Sequence, residues 1–97
     1  MPTYVTLVKW TDQGIKNVKE TVARTEAARQ AAEQAGGRLI AAYWTQGRYD
    51  VIVISEWPDE ESAAAMMLQI GMAGNARSET LRAFTAEEMQ RILQKVP

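Results

Sequence analysis

The sequence predicts an α+β fold of ferredoxin-like order, β-α-β-β-α-β. In that fold a four-stranded antiparallel sheet carries two helices on one face, here followed by a short C-terminal helix. Three observations predict it. Four runs have strand composition: Thr3–Trp10, Arg38–Thr45, Tyr49–Trp57 and Arg77–Phe84. Helical stretches separate the first run from the second and the third from the fourth. Only Gln46–Arg48 lie between the middle two runs, a spacing that makes an antiparallel hairpin.

Each element has a local reason. "TYVTLVKW" is rich in β-formers and can bury both faces. "TDQG" then turns the chain, and Thr11 or Asp12 can cap a helical turn over Ile15–Lys19. From Thr21 the pattern is helical, with Val22, Ala27, Ala28, Ala31, Ala32 and Ala35 as the apolar stripe. Small side chains let such a helix lie close to a sheet. Gly36-Gly37 ends it. Pro58 breaks the third strand, and Asp59, Glu60 and Glu61 bring negative charge to the next helix N-terminus, where the macrodipole favours it. That helix turns Ala64, Met67, Leu68, Gly71 and Met72 to one face and ends at Gly74-Asn75. Thr85 and Glu88 form a capping box for a last helix, Ala86–Lys95.

The bulk composition bounds function mainly by exclusion. One domain spans residues 1–97. Eleven basic and 12 acidic residues give a net charge of -1, so no global field favours nucleic acid or anionic membrane. The start of the chain has no signal-peptide pattern, and no segment has the apolar length of a membrane helix. The expected compartment is the cytoplasm. There is no Cys and no His, which removes thiolate nucleophiles, disulfides and the commonest general base and metal ligand. No metal and no cofactor is expected.

If Gly47 and Arg48 are the central turn residues, Trp44 opposes Val51, Tyr43 opposes Ile52 and Ala42 opposes Val53. Ala41, Ile52, Ile54 and Leu81 are then expected to face the helices. Tyr4, Thr6, Val8, Trp10, Trp44, Val51, Val53 and Arg82 are expected on the uncovered face, and a one-residue slip would exchange faces. An uncovered apolar sheet face calls for a partner, and a twofold pair of identical chains is the commonest solution.

Three blocks carry a family resemblance: "LVKWTDQGIKNVKET", "GGRLIAAYWTQGRYD" and "GNARSETLRAF". Over about Thr3 to Glu88 the chain resembles the GYD-domain family, named for a Gly-x-Tyr-Asp signature, here Gly47, Tyr49 and Asp50. The resemblance implies a dimeric α/β barrel and little about activity. A similar hairpin occurs in the effector-binding domains of the leucine-responsive regulators. Their helix-turn-helix is missing from this sequence, so DNA binding does not carry over.

The Tyr-Asp pair has two readings. In the structural one, Gly47 supplies a turn angle, Asp50 accepts amide hydrogen bonds and Tyr49 packs at the sheet edge. In the functional one, Asp50 is a base and Tyr49 an acid. Hairpin chemistry accounts for the motif with fewer assumptions. Tyr4, Trp10, Trp44 and Arg82 can line a pocket, Arg82 holding a carboxylate or phosphate. Alternatively the aromatics fill a dimer core and Arg82 pairs with Glu56 or Glu79. The Met66, Met67 and Met72 cluster reads as adaptable core filling.

Two function classes follow. The first is a non-enzymatic module that binds a small acidic or aromatic ligand, or that assembles as a homodimer or higher oligomer. The second is a cofactor-independent enzyme, of monooxygenase or isomerase type, acting on a small aromatic or acidic substrate. That second class rests on fold analogy.

Overall fold

The computed structural model describes residues 1–97. The elements are β1 (Thr3–Trp10), α1 (Asp12–Lys16), a single 3₁₀ turn at Val18–Glu20, α2 (Thr21–Gln34), β2 (Arg38–Trp44), β3 (Val51–Glu56), α3 (Glu60–Ala73), β4 (Ala76–Ala83) and α4 (Ala86–Leu93). All strand pairs are antiparallel, in the order β2-β3-β1-β4. This is the predicted α+β order.

The local signals act largely as read. The Thr11 side chain caps α1 by accepting from the Gly14 amide, so α1 starts earlier than expected. Asp59 caps α3 by accepting from the Ser62 amide. Thr85 and Glu88 form the reciprocal capping box of α4. In the hairpin, Trp44 pairs with Val51, Tyr43 with Ile52 and Ala42 with Val53. A bulge between Leu39 and Ala41 then returns Leu39 to the face it shares with Ser55.

The covered face is the reverse of the expected one. Thr6, Val8, Trp10, Val51, Val53 and Ser55 point toward α2 and α3. By pleat alternation, Val5, Leu7, Ile52, Ile54 and Leu81 share the uncovered face. Alternation shows which residues share a face but not which face receives the helices. Here β1 and β2 both run antiparallel to β3, so α2 is a crossover between parallel strands. The near-universal right hand of such crossovers selects the covered side. The expectation that Ala41, Ile52, Ile54 and Leu81 face the helices therefore fell on the wrong side.

The helix faces are also rotated from expectation. In α2 the inward positions are Thr21, Arg24, Thr25, Ala28, Ala31 and Ala32, while Val22 and Ala35 are exposed. In α3 they are Ala63, Met66, Met67 and Ile70, while Leu68 and Met72 lie in the open. The tightest packing joins Tyr4, Ala32, Trp57, Ala63 and Met66. Trp57 lies just beyond β3 and is 1% exposed, the largest fully buried side chain.

Candidate functional site

The two helices do not fill the space over the sheet evenly. Toward its C-terminal end α2 packs closely, and Ala32 is wholly buried. Toward its N-terminal end it offers Thr25, Ala27 and Ala28, which are too short to reach the sheet. The result is a cavity of about 350 Å³ between α2, α3 and the covered face. Its floor includes Trp10, Val51 and Val53, and Met66, Met67 and Ile70 form the α3 wall. That volume is at the small end of the range for ligand pockets.

A clamp between α1 and the α3–β4 turn borders one end of the cavity, where Ala73, Asn75 and Ala76 line it. The Thr11 amide donates to the Asn75 carbonyl (3.1 Å), and the Thr11 hydroxyl donates to that of Gly74 (2.6 Å). Gln13 Nε2 donates to Asn75 Oδ1 (2.9 Å). The segments meet so closely that a Cβ on Gly14 would lie 2.0 Å from the Asn75 oxygen.

The Gly-x-Tyr-Asp hairpin borders the same region. Gly47 has φ +111°, the backbone region that glycine favours. The Thr45 hydroxyl donates to the Tyr49 carbonyl (2.6 Å), and the Thr45 amide donates to that of Asp50 (2.9 Å). Asp50 reaches β1 twice: its amide donates to the Val8 carbonyl (2.8 Å), and its Oδ2 accepts from the Trp10 amide (2.9 Å). Asp50 thereby fixes the end of β1 that carries Trp10 into the cavity floor.

Of the expected pocket residues, the structure brings Trp10 and Trp44 to this region. Trp44 Nε1 donates to the hydroxyl of Thr21, which lines the cavity (3.0 Å). Tyr4 lies in the packed core instead, and its buried hydroxyl has no partner. Arg82 sits at the far end of β4, since Arg82 pairs with Tyr4 whereas Trp10 pairs with Ala76. Its guanidinium lies over the rings of Phe84 (4.5 Å) and Tyr4 (5.7 Å) and 3.8 Å from Glu88. Arg82 therefore does not share a site with Trp10.

The sequence reading missed Arg24, Ser55 and Trp57 as cavity residues. The signal for Arg24 was present: Thr21, Arg24, Thr25 and Ala28 have the same i, i+3, i+4, i+7 spacing as an apolar stripe. Arg24 donates to the carbonyls of Asn17 (2.9 Å) and Gly14 (3.4 Å). A hydrogen bond from Arg29 lowers the Glu26 carboxyl, and backbone amides lower those of Asp59 and Glu88. No three Asp or Glu side chains converge as a metal site requires, and no helix is long and apolar enough to cross a membrane.

Comparison with known proteins agrees with this architecture. A Thermus thermophilus protein named glutamine synthetase and cystathionine beta-lyase binding protein is 29% identical over 90 residues, covering 92% of this chain and 95% of that one. The crystal structure of TTHA0845 from Thermus thermophilus superposes with a TM-score of 0.55 at 24% identity, covering 89% of this chain and 96% of that one, a likeness of fold. The GYD domain matches residues 4–93, nearly the whole length, and the chain belongs to the GYD-domain family.

Proposed function

We propose that this chain is a binding module whose cavity holds a small apolar molecule. The observation that carries the reading is the cavity lining. It is mostly aliphatic and aromatic, it contains no carboxylate, and its one guanidinium is engaged by backbone carbonyls. A cofactor-independent enzyme needs an acid–base group facing the reacting atoms. The Asp50 carboxylate, in the hairpin, accepts from the Trp10 amide. An aromatic ligand fits this lining better than one anchored at Arg82, which lies at the opposite end of the sheet. Native mass spectrometry of the gently purified protein, with tryptophan fluorescence titrations of small apolar compounds, tests the reading. Retention of about one unaltered molecule per chain supports it. Chemical conversion of the bound molecule, or no binding across a broad library, overturns it.

The assembly reading rests on the uncovered face. Val5, Leu7, Ile52 and Ile54 are only half-buried there, and Leu81 is exposed. We propose that two copies bury this patch sheet to sheet as a dimeric α/β barrel in the cytoplasm. The Thermus relative is named for binding two enzymes, which supports a protein-binding role for the assembled module here. Light scattering at micromolar concentration should report at least twice the chain mass, and Ile54→Lys should halve it with the circular dichroism retained. A stable monomeric wild type refutes the barrel.

A further inference from the structure

We infer that the cavity selects an uncharged ligand bearing a hydrogen-bond acceptor, and that Ser55 is the residue that reads it. This rests on the cavity-binding reading above and specifies its ligand class.

Two buried hydroxyls belong to the cavity lining, Thr6 and Ser55, each 2% exposed. They differ in what they have left to offer. Thr6 Oγ1 lies 3.4 Å from Thr80 Oγ1 and 3.9 Å from the Met67 sulfur, so it has neighbours for its proton. Ser55 Oγ accepts from Trp57 Nε1 at 3.0 Å, and its own proton has no acceptor in the protein. A serine hydroxyl has one donor and two acceptor lone pairs. Trp57 can only donate, so it orients the oxygen while leaving the O–H unmatched. A buried donor without an acceptor is unfavourable, and a ligand oxygen in the cavity would satisfy it.

The remaining lining fixes the ligand's charge. No lysine and no acidic group faces the cavity, and Arg24 already donates to two carbonyls. Arg24 keeps its charge, but the carbonyls of Gly14 and Asn17 hold it at the α1 end, so an anion seated at Ser55 would lose its hydration without a counter-charge beside it. An uncharged carbonyl compound matches the buried free O–H of Ser55 in a largely apolar lining. Filled at interior packing density, the cavity holds on the order of 15 non-hydrogen atoms, and Met66 and Met67 can adjust to its outline.

The test uses matched compounds in two skeletons, one flat and one a flexible chain: 2-acetonaphthone, 2-naphthoate and 2-ethylnaphthalene, and 2-nonanone, nonanoate and nonane. Affinities are measured by calorimetry or native mass spectrometry on wild type, Ser55→Ala and Ser55→Cys. The cysteine variant keeps a similar volume with a much weaker donor, which guards against a misfolded alanine variant. In at least one skeleton the ketone should bind about 3- to 10-fold tighter than the hydrocarbon, with the carboxylate weakest. That ketone preference should collapse toward unity in the Ser55 variants. A carboxylate that binds tightest, or a ketone preference unchanged in both variants, overturns the Ser55 assignment while leaving the cavity as a binding site. No binding by any of the six compounds overturns the binding reading itself.

Discussion

Gly14→Ala sets local propensity directly against tertiary packing. Gly14 lies inside α1, where alanine is favoured over glycine by about 1 kcal/mol. Propensity alone therefore predicts stabilisation. The structure predicts the opposite. The new Cβ would lie 2.0 Å from the Asn75 carbonyl oxygen, and real Cβ atoms essentially never approach closer than 3.0 Å. Backbone meets backbone here, so α1 and the α3–β4 turn must part by about 1 Å. That separation stretches the Thr11 amide bond to Asn75 and the Thr11 hydroxyl bond to Gly74, each worth about 1 kcal/mol. Displacing packed backbone adds roughly 1–3 kcal/mol. After the helix-propensity gain, the net destabilisation is about 2–4 kcal/mol, a drop in Tm of roughly 10–30 °C for a chain of this size. Gly71→Ala is the control. It also lies in a helix, but its Cβ would meet nothing within 4 Å. It should stabilise by up to about 1 kcal/mol. Urea denaturation and thermal melts of the two variants check both signs. A Gly14→Ala protein that melts at or above wild type refutes the close approach, and with it the clamp that borders the cavity.

The other predictions concern the hairpin and the helix caps. Gly47→Val forces a β-branched residue to positive φ and should cost about 1–3 kcal/mol, whereas Tyr49→Phe removes at most one hydroxyl bond, about 1 kcal/mol. Equal melting temperatures for wild type and Gly47→Val would show that the turn is misplaced. Asp50→Ala should destabilise by roughly 1.5–3 kcal/mol through loss of a charged acceptor for the Trp10 amide, while Asp50→Asn keeps an acceptor and should lose clearly less. Equal losses in urea midpoint for the two would refute that role. The carboxyls of Asp59 and Glu88 are lowered by the backbone amides they cap, so their contribution is present above the ordinary carboxylate range. It is lost as the pH falls through their depressed values. Urea midpoints followed from neutral to acidic pH should fall accordingly, and Asp59→Asn should flatten part of that fall.

The order of elements, their caps and the hairpin register were legible in the sequence because each depends on short-range chemistry. Thr85 and Glu88 find each other three residues apart, Asp59 finds the Ser62 amide, and the turn at Gly47 sets the pairing of Trp44 with Val51. Pleat alternation likewise sorted most strand residues into two sets. It could not assign those sets to sides, because that choice belongs to the hand of the crossover and both sets are apolar enough for a core. The helix faces were missed for a related reason. Thr21 turns inward to meet Trp44, and Arg24 to meet Asn17 and Gly14, contacts that no hydropathy stripe records. The site was only partly legible. Aromatic bulk pointed to Trp10 and Trp44, but Arg82 lies at the other end of the sheet, and the Ser55 hydroxyl in the cavity lining looked like an ordinary strand residue. Only tertiary packing could show the cavity, because an empty volume is a property of what surrounding side chains fail to fill. Here it exists because α2 is built of alanine and threonine where it crosses the sheet.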